Sequence, residues 1–212
     1  MRYTLVVFDL DGTLLDTLDD LTFSVNAALE KFSLPERTRE EVRAFVGDGI
    51  AVLMRRAAGK EVPFAEQLLE TFREEYSLHC QDKTRPYPQI MQTLLRLKEA
   101  GVRLAVVSNK ADFATKKLVR EYFGEFIGIA VGENERAGVR KKPAPDSLLS
   151  VMGALGVEKK DTVYVGDSEV DIRTAQAAGV DCISVTWGFK DEEFLKKNGA
   201  TRLISDPLEL LE

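Results

Sequence analysis

Leu5-Val6-Val7-Phe8-Asp9-Leu10-Asp11-Gly12-Thr13 is the stretch whose reading decides the fold. Four apolar residues in a row, two of them β-branched, read as a strand buried on both faces. The run stops at a carboxylate, and a second carboxylate follows two positions on. The chain is leaving the strand there, so both side chains can converge on one point, where they repel each other unless a cation or a proton compensates. An ordinary turn is the alternative, since Asp-Gly is a common turn dipeptide.

Outward from this stretch, similar apolar runs recur at Leu104–Val107, Thr162–Val165 and Cys182–Val185, with a weaker one at Ile127–Val131. Helical periodicity lies between them, for example from Ile90 to Lys98, closed by Gly101, and from Val170 to Ala178, closed by Gly179. Strand–helix alternation with fully apolar strands implies an α/β fold: a parallel sheet covered by helices on both faces. In such sheets ligands bind beyond the carboxyl ends of the strands. One region breaks the alternation. Between Leu15 and Lys83 only helical patterns occur, at 16–32, 39–46, 49–58 and 64–80. The expected organisation is a core made of residues 1–14 and 84–212, interrupted after its first strand by a helical insert over 15–83.

Composition narrows the function classes. The 212 residues carry 44% hydrophobic and 30% charged side chains with a formal net charge of −6, an ordinary globular balance. A net-acidic surface repels phosphate backbones, so nucleic acid is not an expected partner. Cys80 and Cys182 form no metal-type spacing, and reduced thiols in a cytoplasmic setting are the default expectation. No apolar stretch approaches the length of a membrane span, and no membrane partner is expected. A single histidine, His79, nearly excludes a histidine relay or a histidine-rich zinc site.

Three further strand ends carry chemistry. Ser108-Asn109-Lys110 follows the 104–107 run and offers a hydroxyl, an amide and backbone N–H groups to phosphate oxygens, although Ser-Asn also caps helices. Lys141-Lys142-Pro143 places a lysine beside a stiff residue, or forms part of a solvated basic loop with Arg136 and Arg140. Gly166-Asp167-Ser168-Glu169-Val170-Asp171 clusters carboxylates suited to a hard cation, or to the first turn of a helix.

Taken together and in order, Asp9-Leu-Asp11-Gly-Thr13, Ser108-Asn109, Lys142-Pro143 and Gly166-Asp167-Ser168 resemble the four motifs of the haloacid-dehalogenase superfamily, over nearly the whole chain. The insert is similar to the small α-helical cap of one branch. Tyr87-Pro88, Ser108-Asn109-Lys110, Gly47-x-Gly49 and Trp187-Gly188-Phe189 look most like phosphoglycolate phosphatases, although Gln89 stands where that branch usually has glycine. The resemblance implies a Rossmann-like core with an inserted cap that closes over the substrate, and a Mg²⁺-dependent phosphatase acting on a small-molecule phosphate ester, with 2-phosphoglycolate the leading candidate. Asp9 is then the nucleophile and Asp11 the general acid and base. Asp9, Asp167 and the backbone carbonyl of Asp11 hold the metal. Ser108, Asn109 and Lys142 bind phosphate, Ser168 and Asp171 support the site from behind, and Gly47-Asp48-Gly49 faces the substrate or is a plain turn between helices. A monomer or weak homodimer is expected. A β-phosphoglucomutase-type isomerase, an inorganic pyrophosphatase and an inactive binding protein share parts of the pattern.

Overall fold

A computed structural model describes residues 2–134 and 138–212; Arg136 lies outside them. β1 (Leu5–Phe8) sits inside a six-stranded sheet of order β5-β4-β1-β6-β7-β8, with β4 (Arg103–Ala111), β5 (Ile129–Glu133), β6 (Thr162–Gly166), β7 (Asp181–Val185) and β8 (Leu203–Ile204). Every pairing in it is parallel. β1 and β6 are buried along their whole length, as their unbroken apolar runs require. On one face Leu5, Val7, Ala105, Val107 and Tyr164 pack with Leu148, Val151 and Met152 of α7 (Asp146–Leu155) and with Ala175 and Ala178 of α8 (Glu169–Ala178). The chain builds β1, β4 and β5 to one side and then returns past β1 to build β6, β7 and β8. The carboxyl ends of β4, β1 and β6 therefore adjoin at the point where the winding reverses, which is where a doubly wound sheet opens a crevice. α5 (Ile90–Glu99), α6 (Asp112–Phe123) and the short α9 (Glu192–Lys197) complete this unit, which comprises residues 1–15 and 86–212.

The two-residue strands β2 (Leu15–Asp16), β3 (Arg85–Pro86) and β8 carry no signal in the apolar runs, β2 lying within the stretch read as helical. Two of the expected strands differ in extent by more than one residue. β4 runs on to Ala111 rather than ending at Val107, with a register shift between Val107 and Ala111. Such an irregularity re-aims side chains at the strand end, and it falls across Ser108-Asn109-Lys110. β5 begins at Ile129, two residues beyond the apolar run's start, because Ile127 is buried from the preceding loop. Gln89, ahead of α5, has φ 65°, the left-handed region that glycine occupies without cost.

The second unit, residues 16–85, is helical: α1 (Leu18–Lys31), α2 (Arg39–Phe45), α3 (Ile50–Ala58) and α4 (Ala65–His79). Its buried residues recur at helical spacing, including Leu21, Val25, Ala28 and Leu29 on α1 and Leu68, Phe72 and Tyr76 on α4. Thr38 opens α2 through a reciprocal box, its hydroxyl accepting from Glu41 N while the Glu41 carboxylate accepts from Thr38 N. Among the described residues no helix is long and apolar enough to cross a membrane.

The unit's two ends are tied together by one buried carboxylate. Asp20, in the first turn of α1, accepts from Lys83 N at 2.9 and 3.1 Å and from Thr84 N at 2.8 Å. Hydrogen bonds to a charged acceptor contribute roughly 1.5–3 kcal/mol each, so Asp20→Ala should destabilise the helical unit by about 2–3 kcal/mol. Amide exchange at Lys83 and Thr84 should lose protection first; unchanged protection there would contradict the tie.

Candidate active site

Asp9 follows directly on β1 and Asp167 on β6, and the parallel pairing Phe8↔Val165 brings these two strand ends alongside each other. Asp171 reaches the same point from the first turn of α8. Asp9, Asp167 and Asp171 are all buried, and each offers an oxygen within 4.8 Å of the others. Lys142 comes in from the loop ahead of α7. Its Nζ lies 2.6 Å from Asp171 Oδ1 and 3.0 Å from Asp9 Oδ1, and it donates to the Tyr164 hydroxyl at 2.9 Å. Tyr164 in turn donates to the Val107 carbonyl. The Asp9 contact is an ion pair without hydrogen-bond alignment, so Asp9 Oδ1 is a buried oxygen with no hydrogen-bond partner. The Ser108 hydroxyl also bonds to Asp9.

These surroundings raise all three groups, which favours the protonated form of the two carboxyls and the charged form of the lysine. Burial pushes Asp9 up to about 6, reinforced by the neighbouring Asp171 and opposed by Lys142. Burial, then Asp171 and Asp9, raise Asp167 well above the usual carboxylate range, against a hydrogen bond of 2.7 Å from Phe189 N. For Lys142 burial favours the neutral amine, but Asp171 and Asp9 outweigh it and hold the ammonium well above its ordinary value. With all groups ionised, three carboxylates against the one Lys142 ammonium leave a local charge of −2. A divalent cation cancels that charge. The donor set is carboxylate oxygen throughout, with no nitrogen or sulfur, which suits a hard cation. The site therefore fits a divalent metal ion.

The residues singled out in the sequence fall into distinct places. Both oxygens of Asp171 are engaged, Oδ1 by Lys142 and Oδ2 by Ser168 N at 3.0 Å and Ser168 Oγ at 2.6 Å, so Asp171 braces the lysine and the start of α8. The Asn109 side chain spans the Lys142 backbone, donating to its carbonyl at 3.0 Å and accepting from its N–H at 2.8 Å. It thereby acts on the loop that carries Lys142. Asp11 is held by Lys110, whose Nζ is 2.9 and 3.0 Å from its two oxygens. In the helical unit Gly47 and Gly49 take φ 128° and 88°, and Asp48 pairs with Arg56 at 2.7 Å, while Arg56 also donates to the Phe45 carbonyl. His79 pairs with Asp82 and packs edge-on against Phe23, a local surface arrangement.

In the sequence Trp187-Gly188-Phe189 serves only the resemblance, with no role at the site attached to it. Trp187 Nε1 donates to the Thr13 carbonyl at 3.0 Å, Phe189 N holds Asp167, and a side chain at Gly188 would stand 2.3 Å from the Gly12 carbonyl oxygen and 2.5 Å from Asp167 Oδ2. One loop thus fixes both carboxylate-bearing segments. A Trp-Gly pair after the 182–185 strand was its signal in the sequence. Tyr164 was hidden inside an apolar strand, with nothing local to mark its hydroxyl.

Comparison with known proteins agrees with this geometry. The family model described as haloacid dehalogenase-like hydrolase matches residues 6–185. Phosphoglycolate phosphatase 1 of Pseudomonas aeruginosa is 35% identical over 215 residues, covering 98% of this chain and 78% of its own length. A phosphoglycolate phosphatase of Haemophilus influenzae Rd is 34% identical over 224 residues, covering 99% of this chain and 97% of its own. The crystal structure of a predicted phosphoglycolate phosphatase from Haemophilus somnus has a TM-score of 0.91 at 28% identity, covering 100% and 97% of the two chains.

Two outcomes follow from the site. The folded protein holds the Asp9 proton more tightly than the unfolded chain, from 3.8 to about 6, so this group's stabilising contribution is present at low pH and is lost as pH rises through that window. Metal binding must displace that proton, and its benefit grows as pH rises. The rise in unfolding midpoint on adding Mg²⁺ should be larger at about pH 7.5 than at about pH 5; the reverse order would contradict the buried-carboxylate picture. Gly188→Ala should weaken Mg²⁺ affinity about 10- to 100-fold by displacing Asp167, read from a Mg²⁺ titration of the unfolding midpoint.

Proposed function

Because this chain belongs to the haloacid dehalogenase-like hydrolases, we propose that it is a Mg²⁺-dependent phosphomonoesterase working through an aspartyl-phosphate on Asp9, with 2-phosphoglycolate as its substrate. The observation that carries the reading is the carboxylate trio packed against Lys142, whose local charge of −2 suits a divalent cation. The substrate rests on relatives named phosphoglycolate phosphatase over 98–99% of the chain.

Asp9 and Asp167, with the Asp11 backbone carbonyl, would hold Mg²⁺, which when bound offsets the repulsion between a carboxylate and a phosphate dianion. The Asp9 carboxylate attacks phosphorus, the bond from phosphorus to the alkoxide oxygen breaks, and Asp11 gives that oxygen its proton. Asp11 then takes a proton from water as the water oxygen attacks phosphorus, which frees Asp9 and releases inorganic phosphate. Lys142 and Ser108 stabilise the equatorial oxygens, where charge concentrates on the way. Asp171 and Tyr164 keep the Lys142 ammonium aimed, and Asn109 holds its loop. The helical unit, as the inserted cap, would supply leaving-group selection.

Phosphate release from a panel of small phosphate monoesters should show the highest kcat/KM with 2-phosphoglycolate; interconversion of sugar phosphates without release of phosphate would overturn the hydrolase reading. Asp9→Asn should abolish turnover with every substrate. Asp11→Asn should cut the rate with alkyl phosphates by about 10²–10⁴, because an alkoxide needs a proton to leave. With p-nitrophenyl phosphate, whose leaving group needs little protonation, the same variant should give a burst of nitrophenolate followed by slow turnover. Equal losses for both substrates without a burst would remove Asp11 from acid–base work.

A further inference from the structure

Lys110 is a buried lysine at the site to which neither the motifs nor the proposed reaction gives a task. It is 5% exposed, in the irregular last residues of β4, and its Nζ donates to both oxygens of Asp11 at 2.9 and 3.0 Å. An ammonium buried at that cost stays only where it is paired and hydrogen-bonded. Asp11 is a carboxylate outside the trio that surrounds Lys142. The two buried lysines thus divide the carboxylates between them, Lys142 taking the side of the nucleophile and Lys110 taking Asp11.

We propose that Lys110 is a positioning residue for Asp11: it sets the direction of the Asp11 carboxyl group toward the leaving-group oxygen and the incoming water, and does not itself act on the transferred phosphoryl group. This rests on the proposed role of Asp11 as acid and base. Local geometry favours it. Two donor–acceptor contacts from one ammonium fix both the position and the rotation of a carboxylate plane, whereas a single contact would leave it free to turn. The anchor is rigid as well. Ser108 Oγ accepts from Lys110 N at 3.3 Å, and the Lys110 carbonyl accepts from the Thr115 hydroxyl of α6 at 3.2 Å, so the lysine backbone is tied on both sides. For the proton to move, one Asp11 oxygen turns to the substrate oxygen while the other remains on Lys110. No atom is gained or lost in that exchange of partners.

The test is a double-mutant cycle of Lys110→Met and Asp11→Asn, assayed with an alkyl phosphate and with p-nitrophenyl phosphate. Lys110→Met should lower kcat for the alkyl phosphate about 10- to 100-fold, the scale of a misplaced catalytic group, while the nitrophenolate burst rate changes less than about threefold. In the Asp11→Asn background the same substitution should add no further loss, because the residue it positions is already disabled. Lys110→Arg, which keeps a two-pronged grip on the carboxylate, should recover part of the alkyl phosphate rate. If Lys110→Met fails to fold, Lys110→Gln, which retains one donor to Asp11, replaces it with the same expectations. Losses that multiply across the cycle, or that strike both substrates equally, would overturn the proposal and place Lys110 on the phosphoryl group. If Asp11→Asn alone shows no dependence on the leaving group, the reading of Asp11 fails first, and the two failures are told apart.

Discussion

Three carboxylates buried around one ammonium are the constraint on which the rest of this structure depends. Asp9, Asp167 and Asp171 come from the position after β1, from the loop after β6 and from the first turn of α8, and Lys142 from a loop elsewhere in the chain. Removing such groups from water is unfavourable, and mutual repulsion adds to it. The surrounding features reduce that cost. Tyr164 and Asp171 satisfy the lysine, Ser168 satisfies the far oxygen of Asp171, and Phe189 N donates to Asp167. What they leave is an excess of negative charge, and burial, reinforced by the neighbouring carboxylates, raises Asp9 and Asp167 toward the protonated form. A divalent cation is the simplest means of discharging it, and a phosphoryl group is the natural visitor to a cation so placed.

The sheet order explains why the cluster forms here. β1 lies between β4 and β6, so the ends of three strands that follow one another in space, though not in sequence, face one crevice. Most of this was legible in the chain. The runs at 5–8 and 162–165 are buried strands with Asp9 and Asp167 just beyond their ends, and the run at 182–185 lies in β7. Periodicity also marks a helical insert in the sequence, expected over 15–83.

What the sequence hid was mostly long-range and polar. Lys110 meets Asp11 across 99 positions, and Trp187 meets the Thr13 carbonyl across 174. No local pattern announces either contact, because the partners lie far apart in the chain and neither residue type names its partner. Tyr164 was concealed for the opposite reason: within an apolar run its ring is what a buried strand demands, and its hydroxyl is visible only once Lys142 and the Val107 carbonyl are in place. Strand bounds erred where burial and hydrogen bonding part company, as at Ile127, which is buried without belonging to β5. Asn109 illustrates a finer distinction. Its residue type suits a phosphate ligand, but both ends of its amide bind the backbone of Lys142.

The central claim is that the carboxylate cluster is a divalent-cation site with Lys142 kept apart as a fixed positive charge. A crystal structure of the protein grown with Mn²⁺ and beryllofluoride tests this most directly, since the anomalous signal locates the cation and the fluoride group marks the phosphorylated residue. The account predicts one cation bound by Asp9 and Asp167, beryllium bonded to Asp9, and Asp171 still paired with Lys142 and Ser168. A cation that takes the place of the Lys142 ammonium, or beryllium bonded to Ser108 in place of Asp9, would contradict it.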